Sequence, residues 1–448
     1  MLSRTLRNAV QSEMMRTLAV RALGVFFAFA STTLTALLLG PAEFGTWSAG
    51  LSLALLAAAV APLGTDRLLV RQLSVLDQPQ QQSLELALAH RCAAIAGCLL
   101  LVLACAAAAF CRFAGWQDWV NTLLIAAALF IPVTLTWLRQ WAAIPLVGTR
   151  NAVLPEQILI PAGTIAAFAV LWLCGQKPTA WTTVCIFAGL SIVVWVLSAF
   201  YGPLKSLYRM AVGKATDRGS SSALLRKQLS EGLSFIPMAV GPMLCQRITP
   251  LVVAAGCGFE DIAHFTYAQL ITGIPAIPLG IISLSMIPQL ARMYRAGNTA
   301  AQQRLVENAA TGILLTALVL SGLILLASPL LPLVLGADYA PVRLLLPTLL
   351  LAMLADCATG PTFSVMQTQG LERTYSLLLG VLVPIQMLLI YGGGKADSVQ
   401  GAAVGYLMGR VLWNAAVLAA IHRQRGLLLL PSLRSLQSAF GGWQGREL

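Results

Sequence analysis

Residues 92–111 read CAAIAGCLLLVLACAAAAFC, twenty residues without a charge or a proline. At 1.5 Å per residue a helix of this length crosses a hydrocarbon core roughly 30 Å thick. A helix on a soluble core would keep a polar stripe, and a barrel strand would alternate with period two; neither pattern is present. The stretch is therefore a membrane-spanning helix, because lipid leaves the backbone no partners but its own. Its cysteines, Cys92, Cys98 and Cys105 among them, form no CxxC pair and behave as small hydrophobes in such a setting.

The rest of the chain repeats this signal. Of 448 residues, 58% are hydrophobic and 10% charged, and the mean hydropathy is +0.79. No soluble domain of this length needs so much apolar surface. Twelve spans are expected, at 18–39, 46–65, 92–111, 120–138, 155–174, 180–200, 230–255, 262–288, 307–328, 341–366, 374–392 and 399–420. The first follows a basic start with Arg4, Arg7 and Arg16 and is too long for a signal-peptide core, so it reads as an uncleaved span. The fold class is all-α, a polytopic membrane protein.

Charge sets the expected orientation. With the N-terminus in the cytoplasm, 22 of the 29 Lys and Arg fall in inner segments, three (Arg112, Lys177, Lys395) in outer ones, and Arg21, Arg247, Arg343 and Arg410 within spans. That bias follows the positive-inside rule and predicts cytoplasmic N- and C-termini. The net charge of +12 is then topology, facing anionic lipid head groups, and gives no reason to expect nucleic acid.

The basic inner loop 201–229 leaves six spans on each side, predicting an N-terminal lobe 1–200, a linker 201–229 and a C-terminal lobe 230–448 with a cytoplasmic tail. Pro62-Leu63-Gly64 recurs as Pro278-Leu279-Gly280, Gln72-Leu73 as Gln289-Leu290, and Glu43-Phe44 resembles Asp261-Ile262, at offsets of 216 to 218. One shared offset near half the chain length predicts two pseudo-symmetric six-helix lobes, an arrangement that places a substrate between repeats.

Charges deep in spans cost about 2.5–3.5 kcal/mol on insertion scales and are functional candidates. Arg247 and Arg410 are too deep to snorkel; Arg21 and Arg343 lie near span ends. Asp356 is the one acid deep in an expected span. It is a structural or coupling partner for Arg410, and a substrate role for Arg410 stays open beside that pairing. Arg247 has only Gln246 and Thr249 as polar neighbours in its span, so its five donors suit a phosphate that enters and leaves.

Catalysis finds little support. Gly392–Lys395 lacks the P-loop spacing and is expected in an outer loop, no Ser/His/Asp set occurs, and His90, His264 and His422 stand apart. No catalytic residues, metal ligands or cofactors are expected. A membrane-bound glycan-assembly enzyme would need catalytic groups on large outer loops, and the longest outer segment has about a dozen residues.

The stretch LLLGPAEFGTWSAGLSLALLAAAVAPLGTDRLLVRQLS, Leu37 to Ser74, resembles the first two spans of the polysaccharide transporter family (Wzx-type oligosaccharide or O-antigen flippases). This family belongs to the multidrug/oligosaccharidyl-lipid/polysaccharide (MOP) exporter superfamily. Gly40, Pro41, Phe44, Gly45, Gly64 and Arg71 fall on its pattern. IPQLARMYRAGNTAAQQRL (287–305), LGADYAPVRLLLPTLL (335–350) and GAAVGYLMGRV (401–411) are similar to later parts of the family.

The resemblance implies a V-shaped pair of lobes in the bacterial inner membrane that moves a polyprenyl-diphosphate-linked oligosaccharide by alternating access, for surface polysaccharide synthesis. It implies a phosphate-binding role for Arg247 and Arg21, and polysaccharide polymerase and chain-length machinery as partners. The alternative is a cation-coupled multidrug exporter of the same superfamily, which would want acids at mid-depth in spans one to six, where none is found.

Overall fold

The computed structural model describes residues 2–74, 76, 78–200, 205, 228–233 and 236–432. Most of the expected linker 201–229 and the tail beyond Ser432 lie outside the described residues. Among the described residues there is no strand, and nine helices are long and apolar enough to cross a membrane.

Backbone breaks reconcile nine helices with twelve expected spans. Leu2–Val60 is interrupted at Gly40 (φ 73°, ψ 171°), dividing the first span from the second. Glu372–Arg425 breaks at Asp397 and Ser398 (φ 46°), dividing the eleventh from the twelfth. The seventh is the shorter apolar helix within Ile236–Gly256. A glycine is required at Gly40, since the left-handed region is open to it without a Cβ penalty.

Several helices outrun the hydropathy that marked them. The third runs from Pro79 to Phe113 and the fourth from Gln117 to Leu154. Their ends are set by stop signals rather than by polarity: Pro79 at a first helical position, and Asn298 capping the ninth, its side chain accepting from Ala301 N at 3.0 Å. Gly392–Lys395, expected in an outer loop, lies in the helix Glu372–Arg425. The glycines serve packing: a Cβ on Gly393 would sit 2.1 Å from the Gly401 carbonyl oxygen.

The chain forms two compact units, Met1–Leu251 and Val252–Leu448, with the boundary inside the helix Ile236–Gly256. In the first, the fourth span packs against the first two, the third and the sixth; in the second, Ala340–Thr359 packs against Phe259–Thr272, Thr299–Ala327 and Glu372–Arg425. These two central helices have 56% and 50% of their most apolar windows buried, against 17–33% for the other seven. Elsewhere the apolar side chains point outward, as Ile95, Leu99, Val102 and Leu103 do on the third span.

The units are wired alike. In the first, the Glu43 carboxylate accepts from Ala180 N at 2.5 Å, where the sixth span begins. In the second, Ser398 Oγ donates to Asp261 Oδ2 at 2.9 Å, where the twelfth begins. Both ends of this contact are offset by 218. Trp47 and Phe187 meet edge to face at 5.8 Å, and so do Phe265 and Tyr406 at 5.9 Å, at offsets of 218 and 219. The sequence repeat is thus a repeat of contacts. One match does not carry over: Pro62-Leu63-Gly64 forms a turn, with Leu63 at φ 51° and Gly64 at φ 78°, whereas Pro278-Leu279-Gly280 is helical. The second unit breaks earlier, in the short 3-10 turn Ile274–Ala276.

Candidate functional site

The second unit brings Asp356 and Arg410 together. Arg410 Nε donates to both carboxylate oxygens of Asp356 at 3.0 Å, and Nη2 also binds Oδ2. Asn414 Nδ2 donates to Oδ1 at 2.7 Å, and the Thr359 hydroxyl lies 3.0 Å from Asn414 Oδ1. One turn separates Arg410 from Asn414, so one face of the twelfth span presents both groups to the tenth. The side chains of Arg410 and Asp356 are 19% and 10% exposed.

The first unit holds a second charge pair, its cation at the matching position of the central helix and its half-buried anion at the start of the fifth span. Arg139 Nε and Nη2 reach the two Glu156 oxygens at 2.9 and 2.7 Å, Nη1 donates to Ser198 Oγ at 3.3 Å, and Nη2 also binds the Ala152 carbonyl. Arg139 is offset from Asp356 by 217 and Ser198 from Asn414 by 216, so central helix and partner helix correspond. The sign is reversed: the central helix carries the cation here and the anion in the second unit. Sequence reading placed Arg139 in an inner loop, but the fourth helix continues past it and the side chain is only 4% exposed. Glu156 opens a π-turn, Pro155–Leu159, at the start of the fifth span. A wider turn of this kind often marks a functional position.

A third polar cluster follows the turn at Leu63-Gly64. Asp66 is fully buried in the first turn of the helix Thr65–Leu73; Trp137 Nε1 donates to its Oδ2 at 3.2 Å, while Oδ1 has no hydrogen-bond partner among the described residues. Burial pushes this carboxyl above the usual carboxylate range, against the pull of Arg67 and the Trp137 N–H. The Arg67 guanidinium stacks 3.6 Å over the Trp141 ring, a cation–π contact on a desolvated face.

Arg247 differs from Arg139 and Arg410. It is half-buried in the helix Ile236–Gly256, its Nε is buried, and that nitrogen has no hydrogen-bond partner among the described residues. Gln246 beside it is exposed. Thr249 Oγ1 turns back to Cys245 O at 3.1 Å, and Pro250 leaves the Gln246 carbonyl without its intrahelical donor. Arg21 lies in the first helix, with its side chain outside the described residues. Of the residues singled out by sequence, Asp356 and Arg410 meet in the second unit, while Gln246 and Arg247 are neighbours on the helix Ile236–Gly256.

Arg139, Glu156 and Asp66 were missed because they sit at span ends, where solvated charges are the ordinary case. The signal that finds Arg139 is the repeat offset itself, which lands on Asp356. Chemically, the two charge pairs are engaged on several sides, whereas Arg247 retains unused donor capacity next to an exposed amide. No group of three or more His, Cys, Asp or Glu able to hold a metal occurs among the described residues.

No protein-family model and no curated protein matches the chain. Solved structures do. An inward-facing multidrug resistance MATE family transporter of the MOP superfamily matches with TM-score 0.69 at 15% identity, over 92% of this chain and 99% of that one. An outward-facing MATE family transporter matches with TM-score 0.58 at 15% identity, over 92% and 95%. The lipid II flippase MurJ, in an inward closed conformation, matches with TM-score 0.61 at 14% identity, over 97% of this chain and 92% of that one. The chain thus has the fold of MOP superfamily transporters and is a multi-pass membrane protein.

Proposed function

We propose that this chain is a flippase of the polysaccharide transporter type, carrying a polyprenyl-diphosphate-linked oligosaccharide across the bacterial inner membrane by alternating access of two six-helix lobes, 1–200 and 230–448. The observation that carries this reading is Arg247. Arg139 is matched by Glu156 and Arg410 by Asp356, whereas the buried Nε of Arg247 is unmatched among the described residues. A guanidinium kept in a span at a cost of a few kcal/mol calls for an offsetting partner, and a diphosphate that binds transiently supplies one. Arg247 is the principal phosphate ligand in this reading. Arg21 assists, Gln246 is within reach of sugar hydroxyls, and Arg410 is held by Asp356 as a structural pair. The termini are cytoplasmic, and polysaccharide polymerase and chain-length proteins are partners.

The second reading, a cation-coupled multidrug exporter, draws support from the MATE likeness and from two acids in the first unit, the buried Asp66 and the half-buried Glu156. Against it, both acids are at span ends, Glu156 is bound to Arg139, and a free guanidinium repels a cationic drug. Complementation of a flippase-null strain, with surface glycan read beside membrane expression, tests the choice. Arg247→Ala should abolish surface glycan while the protein stays inserted and abundant. Arg247→Lys should keep part of it, having the charge without the planar two-point grip. Normal glycan from Arg247→Ala at ordinary expression would remove Arg247 as the anion site, and drug efflux without glycan rescue by the parent chain would favour the exporter.

A further inference from the structure

The hairpin of the fifth and sixth spans departs from its counterpart in the second unit. There, the eleventh and twelfth spans meet backbone to backbone, a Cβ on Gly401 lying 2.1 Å from Gly393 O and one on Gly405 lying 2.1 Å from Leu389 O. At offset 218 from these two glycines the sixth span carries Thr183 and Phe187. Thr183 is buried and Phe187 is turned against Trp47, so the glycine contact has no equivalent.

Between the two helices remains a groove of about 550 Å³, lined from the fifth span by Ala167, Val170 and Leu171 and from the sixth by Trp181, Cys185 and Ile186. Lined by apolar side chains, it offers dispersion contacts to a hydrocarbon chain laid along it. Val170, Trp181 and Cys185 are exposed, so the groove opens to the hydrocarbon around the protein.

The groove runs up to the turn Cys174–Thr179 that joins the helices, and that turn carries the exposed Lys177. The exposed Trp172 and Trp181 flank it, in the manner of indoles at head-group level. The nearby Glu43 carboxylate is engaged by the Ala180 N–H.

We propose that this groove is a resident lipid site, holding one acyl chain of an anionic phospholipid with its phosphate against Lys177. A polyprenyl chain shares the apolar chemistry, but phospholipid is the bulk solvent at that surface and fills the apolar groove by mass action, with Lys177 favouring an anionic head group.

The test places the full-length protein in phosphatidylcholine nanodiscs doped with phosphatidylglycerol carrying a photoreactive group near the end of one chain, followed by peptide mapping after illumination. Label should concentrate on the peptide spanning 167–186. Lys177→Gln should lower it about fivefold, as expected when one basic residue stops contributing to binding at an anionic surface, and a phosphatidylcholine probe should show a similar deficit. Ala167→Trp should fill the groove and remove the label. Alkylating the exposed Cys185 with a bulky maleimide in the folded protein should do so without any substitution. Label spread evenly along the lipid-facing helices would overturn the proposal, as would indifference to Lys177→Gln and to both ways of filling. Displacement by an equimolar polyprenyl phosphate would overturn it too, by assigning the groove to that carrier.

Discussion

Replacing Asp356 by Leu removes the acceptor of every bond that Arg410 makes to it, two from Nε at 3.0 Å and one from Nη2, together with the 2.7 Å bond from Asn414. The guanidinium left behind has a side chain only 19% exposed. Breaking a buried pair by removing one partner costs about 3–5 kcal/mol, and this residual exposure puts Asp356→Leu near the lower figure, about 3 kcal/mol. Arg410→Met should cost a similar amount by stranding the carboxylate. The double variant Asp356→Leu/Arg410→Met has no stranded charge, and Asn414 and Thr359 keep their mutual contact at 3.0 Å. It should therefore fall within about 1 kcal/mol of the parent, well short of the sum of the singles. Fluorescence-detected size exclusion of heated full-length fusions reads the stability, and surface glycan in a complemented strain reads the function. Should the double variant be as damaged as the two singles added together, the pair is not a mutually compensating unit and the reasoning fails. If it recovers stability and not glycan, the pair takes part in transport beyond holding two helices.

Glu156→Gln should cost about 3 kcal/mol of thermal stability, because Arg139 at 4% exposure loses its counter-charge, and adding Arg139→Met should recover most of it. Glu43→Ala should cost about 1 kcal/mol, the worth of a cap on a helix N-terminus, while Asp261→Ala, which loses an exposed bond from the Ser398 hydroxyl, should cost less than about 1 kcal/mol; the two costs should add, since each carboxylate serves a different helix. Gly405→Val forces side-chain carbons onto Leu389 O, which a first Cβ already approaches to 2.1 Å; a loss of more than about 3 kcal/mol, or failure to yield monodisperse protein, is expected.

The helices and their number were legible because lipid imposes one rule on every span, and the break at Gly40 falls in the gap expected between residues 39 and 46. Helix ends were not, since hydropathy reports where lipid stops and the helices Pro79–Phe113 and Gln117–Leu154 continue beyond that point. Gly392–Lys395 misled for a related reason: three glycines read as a loop in isolation, and only the partner Gly401 makes them a contact surface. The repeat was legible in Glu43 and Asp261 before their roles were. At the charged positions, depth singled out Arg410, which meets Asp356, and passed over Arg139. A cation at the end of a span is ordinarily solvated, and what buries this one is the return of Glu156 and Ser198 from helices that a linear reading does not place beside it.

The two charge pairs also differ in how long the nascent chain must wait for them. Arg139 meets Glu156 only 17 residues later, at the start of the very next span, so the charge enters the membrane with its partner close behind. Asp356 is followed by Arg410 after 54 residues. At roughly 5–20 residues per second of synthesis this is a delay of about 3–11 s, during which the tenth span carries an unmatched carboxylate worth about 2.5–3.5 kcal/mol against insertion. The leucines around it, in LLLPTLLLAML from residue 344 to 354, make the segment apolar enough to hold its place in the bilayer until the last span arrives. Biogenesis of the second half therefore hangs on its final helix, and a chain truncated before Arg410 should be cleared by membrane quality control while one truncated after the sixth span should persist.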